Sequence, residues 1–347
     1  MEMLKGMGLL LFALLIFSVF SIKAPKGQKA MSGLANAAVA SFLVEAIHKY
    51  IFGDFLEVYF LGEVGGAAGS MGGVAAAILV GLNMGVNPVY AVAAGISLTG
   101  MGILPGFIAG YIVGLVGPIL EKKLPKGIDI ITGVLLIAPF ARLIAVQVAP
   151  VVDETMLNIG DMILVAANQS PILMGFLLGG IMKILCTSPL SSMALTAMLG
   201  LHGLPMGIAA IACVGGSFTN GMIFKKLKFG NASNIVGVML EPLTQADIVC
   251  SNPLPIFASN LLGGGLAGIS AAYFGIINNA PGTASPIPGL LAPLAFNDPL
   301  VVMKALFFAI IGGIVGGWIG GIVFKFAKKE EVEETNKRMF KKEPIIS

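Results

Sequence analysis

Long apolar runs separated by short charged breaks make up most of this chain. They cover 4–22, 30–50, 64–83, 87–103, 104–120, 128–150, 162–182, 186–201, 204–224, 255–278 and 300–324. A membrane-crossing helix needs about 20 apolar residues. The pattern therefore predicts an all-α integral membrane protein, a polytopic bundle of about ten transmembrane helices with one or two re-entrant hairpins.

The breaks carry the orientation. Lysine and arginine mark cytoplasmic loops, and the basic stretches are 23–29, 122–126, 225–228 and the tail from Lys325. The acidic stretches 54–63 and 153–161 are then expected outside. After the first run come Lys23, Lys26 and Lys29, whereas only Lys5 precedes it. A signal peptide has the opposite charge order, so this run is expected to be a retained helix with its N-terminus outside. The domain reading is a membrane transport domain over 1–326 and a charged cytoplasmic tail over 327–347.

Some segments do not fit plain spans. The runs 87–103 and 186–201 are short and interrupted by Pro88, Pro105, Pro189 and Pro205. Short, proline-broken segments mark discontinuous helices at transporter binding sites. The run 229–253 starts apolar and then reads LEPLTQADIVCSNP. The basic loops place both its ends on the cytoplasmic side, which predicts a re-entrant hairpin. Such backbone is tolerated only inside protein or along a wet cavity.

Composition narrows the class further. Of 347 residues 56% are hydrophobic and only 11% are charged, against about 25% charged in soluble domains. The 47 glycines recur at four-residue spacing at Gly65, Gly69 and Gly73, at Gly106, Gly110 and Gly114, and at Gly312, Gly316 and Gly320. Small residues at that spacing let helices approach closely in lipid. The net charge of +3 and the lack of a basic, aromatic-interleaved patch argue against nucleic acid. Cys186, Cys213 and Cys250 lack the spacing of a disulfide framework or a metal site. No phosphate loop, zinc spacing or hydrolytic signature occurs. No catalytic residue, metal or cofactor is expected.

Candidate chemistry lies in the polar residues that cost free energy in a membrane. Arg142 sits mid-span, and Glu241 and Asp247 sit in the hairpin candidate. Lys183 is either functional or a snorkelling end residue. Four polar clusters fall in irregular segments: Thr187, Ser188, Ser191 and Ser192; Glu241, Thr244, Gln245, Asp247, Ser251 and Asn252; Asn83 and Asn87; and Asn168, Gln169 and Ser170. Hydroxyls, amides and carboxylates of this kind pair the hydroxyls of a buried sugar or polyol. They also serve to satisfy backbone freed by proline.

Three stretches carry a family resemblance: PGFIAGYIVGLVGPILEKKLPKGIDIITGVLLIAPF at 105–140, SPILMGFLLGGIMKILCTSPLSSMALTAMLG at 170–200, and VMLEPLTQADIVCSNPLPIFASNLLGGGLAG at 238–268. In order and spacing they resemble the membrane (IIC) component of bacterial sugar phosphotransferase systems, nearest the fructose type. Two positions depart from that type. Asn252-Pro253 stands where it has Asp-Pro, and the 186–192 cluster lacks its aspartate. The chain thus looks like a divergent branch, similar to IIC-like membrane proteins proposed as toxin regulators. The resemblance implies a helical bundle with re-entrant hairpins, usually dimeric, in the bacterial plasma membrane. It also implies that a separate phosphorylated IIB protein, supplied by IIA, phosphorylates the sugar at the cytoplasmic face. No soluble segment here offers a phospho-His or phospho-Cys.

The expected function is a sugar or polyol permease. Glu241 and Gln245 bind substrate hydroxyls, and Glu241 or Asp247 orients the hydroxyl to be phosphorylated. Thr187, Ser188, Asn252 and Asn87 complete the cavity with Thr244. Two alternatives stay open, a carrier independent of phosphorylation and a membrane sensor.

Overall fold

The structure, a computed structural model, describes residues 2–188 and 191–340. Pro189 and the terminal KKEPIIS stretch lie outside the described residues. Among the described residues every regular element is helical and there is no strand. Helix α1 (Glu2–Lys23) leads into α2 (Gly27–Ala38), which continues through π-type turns over Val39–Leu43 and Glu45–Phe55. Helices α3 (Tyr59–Ser70) and α4 (Gly72–Asn83) meet at a 57° bend. The short α5 (Pro88–Ile96) starts on an Asn87–Pro88 pair. The asparagine side chain caps it, and proline suits the first helical position because its missing N–H has no helical partner there. Helix α6 (Ile103–Lys123) ends on Lys122 and Lys123, where cations face the carbonyl end of the helix dipole.

Helix α7 (Asp129–Gln169) corrects the sequence reading. The runs 128–150 and 162–182 were expected as separate spans joined by an outer acidic loop at 153–161. Instead 41 residues form one continuous helix, about 60 Å long at 1.5 Å per residue. Charge influences where a helix sits, but only backbone chemistry breaks it. Residues 153–159 hold no glycine or proline, and Pro139 and Pro150 are accommodated within the helix. It stops at Ser170, before Pro171, because the residue preceding a proline disfavours the helical conformation.

The remainder is α8 (Pro171–Thr187), α9 (Ser192–Met198), α10 (Gly203–Leu227), α11 (Ala232–Leu240), a 3-10 turn at Pro242–Gln245, α12 (Ala246–Ser251), α13 (Pro253–Tyr273), α14 (Pro286–Leu291) and α15 (Pro299–Phe340). Among the described residues six helices are long and apolar enough to cross a bilayer, or seven if the bent α3–α4 pair counts as one span. The expected count of about ten also took in 4–22 and 162–182, whose apolar helices Gly8–Lys23 and Pro171–Thr187 are shorter, and runs divided by proline and glycine into pieces such as α5, α9 and α11–α12. The outer surface is apolar: Leu135 is 69% and Val151 70% exposed. That surface suits lipid and not water, so the protein is a multi-pass membrane protein.

Two groups of helices pack closely. Helix α6 sits between α4 and α7, with α2 against α4 and α5 against α4 and α7. In the second group α8, α10 and α15 surround α13. Gly73, Gly106, Gly110 and Gly316 lie in these contacts, whereas Gly65 and Gly69 on α3 face Lys49 and Glu45. A methyl group at Gly106 would overlap the backbone of Gly73, one at Gly110 that of Ala77, and one at Gly316 that of Gly263. Close backbone approach replaces the hydrophobic effect as the packing force between helices in lipid. The contact of α8, α10 and α13 positions the candidate site.

Candidate functional site

Each of these three helices contributes a pair of residues four positions apart. On α8 the pair is Lys183 and Thr187, on α10 Gly216 and Asn220, and on α13 Gly264 and Asn260. Residues at that spacing lie one turn apart on one helix face, so the pairs build two stacked layers. In the first layer a methyl group at Gly216 or at Gly264 would overlap the Lys183 side chain. Only glycine leaves room for the lysine stem there. In the second layer Asn260 Nδ2 donates to Asn220 Oδ1 at 2.8 Å and to Thr187 Oγ1 at 3.1 Å. Asn220 Nδ2 donates to Thr187 Oγ1 at 3.2 Å. The Thr187 hydroxyl in turn donates to the Lys183 carbonyl at 3.0 Å. All four polar side chains are buried, Lys183, Thr187 and Asn260 completely so.

Next to these layers lies Glu241, at the break between α11 and the 3-10 turn. The break follows from Pro242, which cannot continue the helix of its predecessor. Glu241 Oε1 accepts from the Leu243 amide at 3.4 Å. Its Oε2 accepts from the Ser285 hydroxyl at 3.3 Å. Ser285 precedes α14, so two broken segments touch at their tips. A third break joins them: the Ser192 hydroxyl at the start of α9 donates to the Ala284 carbonyl. The Asn220 amide also approaches the Val238 carbonyl on α11, at 3.5 Å.

The residues expected from sequence divide into three sets. Thr187 and Glu241 belong to the constellation, and buried Ser188 closes the end of α8 by donating to the Leu185 carbonyl at 3.0 Å. Gln245, Thr244 and Asn252 brace the broken segment. Gln245 Oε1 accepts from Asn234 Nδ2 at 2.7 Å, the Thr244 hydroxyl donates to the Glu241 carbonyl at 2.7 Å, and Asn252 Nδ2 donates to the Ile248 carbonyl at 3.0 Å. Asp247 falls on α12, with its side chain outside the described set. Asn87 is in the other helix group. Its Oδ1 accepts from the Val89 amide at 2.9 Å and its Nδ2 donates to Glu121 Oε1 at 3.0 Å.

Several residues emerge only in three dimensions. Asn220, Asn260 and Ser285 were not singled out from sequence. Lys183 is no snorkelling end residue, since it is wholly buried and its ammonium donates to the Cys213 carbonyl at 3.3 Å. The signal available in sequence was an asparagine or lysine within an apolar helix, with a glycine about one turn away on the same helix. Arg142 supports the backbone of a neighbouring segment, where its Nη1 donates to the carbonyls of Ser97 and Thr99 at 3.0 and 2.9 Å. It thereby serves carbonyls at and just beyond the end of α5 that have no helical partner. Among the described residues no group of three or more metal-ligating side chains occurs.

Chemically, this is a polar island in an apolar bundle, with a carboxylate, an ammonium, amides and hydroxyls meeting where helices break. No curated protein sequence and no solved structure matches the chain. The family described as phosphotransferase system, EIIC, does match, over residues 28–339. That is most of the 347 residues, and the chain belongs to this family of sugar-transporting membrane components.

Proposed function

We propose that the protein is a sugar or polyol permease that presents its substrate at the cytoplasmic face to a phosphorylated IIB partner, itself charged by IIA. The observation that carries this reading is Glu241. It is a carboxylate held where two broken segments meet, hydrogen-bonded to the Ser285 hydroxyl before one and to the Leu243 amide of the other. Segments 229–253 and 274–298 are re-entrant hairpins in this reading. They enter from opposite faces and meet near mid-membrane, with the basic loops cytoplasmic. Their irregular backbone is permissible there because it is buried in protein or lines a polar cavity.

In this mechanism Glu241 accepts a hydrogen bond from one substrate hydroxyl and orients its oxygen toward the phosphoryl donor. As that oxygen gains a bond to phosphorus, the bond from phosphorus to the IIB side chain breaks, that side chain leaves with the electron pair, and Glu241 takes the hydroxyl proton. Asn260 Oδ1 is the acceptor left for a further substrate hydroxyl, while Gln245 and Thr244 hold the hairpin tip. The protein works as a homodimer in a bacterial plasma membrane, in a divergent branch of the fructose-type systems. Glu241→Gln keeps the shape and removes the base. It should abolish uptake while membrane expression stays normal, and normal uptake by this variant would refute the assignment.

A further inference from the structure

Lys183 is the least comfortable residue in the described protein. Its ammonium has three N–H donors, is wholly buried, and makes one hydrogen bond, to the Cys213 carbonyl. The ion pair formed among the described residues lies elsewhere, between Lys49 and Glu45 at 3.1 Å. A buried ammonium without an ion-pair contact is unfavourable in an apolar bundle. Yet the fold goes out of its way to admit this side chain, since two neighbouring helices carry glycine where any larger residue would strike its stem.

One turn away is a second unmet demand. Asn260 spends both amide hydrogens on Thr187 and Asn220, and its Oδ1 is buried with no donor. The orientation of this amide is fixed by its neighbours. A flip would set the Asn260 oxygen against Asn220 Oδ1, two acceptors face to face. A ligand meeting both demands brings a negative charge for Lys183 and a hydroxyl donor for Asn260. Neutral sugars supply only the second.

We infer that Lys183 and Asn260 are specificity-determining residues and that the substrate is a sugar acid, a polyhydroxy compound bearing a carboxylate. This rests on the permease reading above and narrows its substrate class. The carboxylate accepts from the Lys183 ammonium, a nearby hydroxyl donates to Asn260 Oδ1, and Glu241 handles the hydroxyl to be phosphorylated. Charge-assisted bonds to the carboxylate are about twice as strong as neutral ones, which sets the expected preference.

The test is counterflow in proteoliposomes holding the purified full-length protein, with labelled hexuronates and aldonates set against the matching hexoses and alditols. An acid should exchange saturably and outcompete its neutral counterpart about tenfold or more. Lys183→Met should remove that preference. Should Lys183→Met fail to fold, Lys183→Gln removes the charge and leaves a shorter polar side chain in the same space. That variant should likewise lose the preference for the acid. Exchange of neutral compounds with exclusion of acids would overturn the inference and leave the permease reading standing. Acid exchange unchanged in both variants would overturn it as well. Exchange of neither class by folded protein, with and without phosphorylated IIB, would refute the permease reading and this inference with it.

Discussion

The fit of Lys183 between two glycines gives a prediction that needs no knowledge of the substrate. Gly216→Ala puts a methyl group into the Cγ, Cδ and Cε region of the lysine stem. Overpacking of this kind costs about 1–3 kcal/mol. Gly264→Ala places its methyl against Lys183 Cβ and also 2.8 Å from the Gly179 carbonyl oxygen. A Cβ and a backbone oxygen move less readily than the far end of a side chain, so Gly264→Ala should cost more. The informative comparison is a double-mutant cycle with Lys183→Ala, which vacates the space the Gly216 methyl would fill. Residues in direct contact couple by about 0.5–3 kcal/mol. Gly216→Ala should therefore be largely neutral in the Lys183→Ala background, whereas Gly264→Ala should keep the cost due to the Gly179 carbonyl and to the Cβ at 183, which alanine retains. The assay is thermal unfolding of purified protein in detergent, where 1 kcal/mol moves the midpoint of a large domain by roughly 2–4 °C. A Gly216→Ala midpoint equal to wild type, or an equal loss with and without Lys183, would refute the packing assigned to this layer.

Other expectations follow from the same contacts. Thr187→Val keeps the shape but removes the acceptor shared by Asn220 and Asn260. At about 0.6 kcal/mol per buried side-chain hydrogen bond in a membrane the unfolding midpoint should fall by a few degrees, and an unchanged midpoint would contradict the triad. Asn87→Ala removes a helix cap and should cost about 1 kcal/mol without altering substrate affinity in counterflow. A large rise in the half-saturating concentration would return Asn87 to the binding site. Arg142→Leu strips donors from the carbonyls of Ser97 and Thr99. It should lower the midpoint and speed deuterium uptake near 97–102, whereas unchanged exchange there would show that the guanidinium does not hold this loop.

The membrane class and the all-helical architecture are legible in the sequence because both rest on long-range averages, apolar run length and charge deficit, which no single contact can overrule. The break at Glu241–Pro242 is legible for the opposite reason, since it is local and set by proline chemistry. The loop expected at 153–161 rests on acidic residues, which bear on the side of the membrane and not on helix continuity, and α7 passes straight through it. Asn87 falls in a polar cluster by composition, but its amide is used by Val89 and Glu121. Asn220 and Asn260 each lie beside a hydroxyl residue, Thr219 and Ser259, within apolar helices, with a glycine one turn away as the local signal. They become a site only when α10 and α13 close on α8, a contact fixed by glycines whose partners cannot be read from one chain. Lys183 could not be settled from sequence because snorkelling depends on how far a helix end lies from the surface, and α8 buries it completely.

The central claim is translocation of a sugar-class compound through the polar island around Glu241. Counterflow of labelled sugars, sugar acids and polyols in proteoliposomes containing the purified protein and its Glu241→Gln variant tests it most directly. The account predicts saturable exchange of one compound by the wild type and loss of that exchange in the variant. Equal exchange by both proteins, or none by folded wild-type protein even with phosphorylated IIB present, would contradict it.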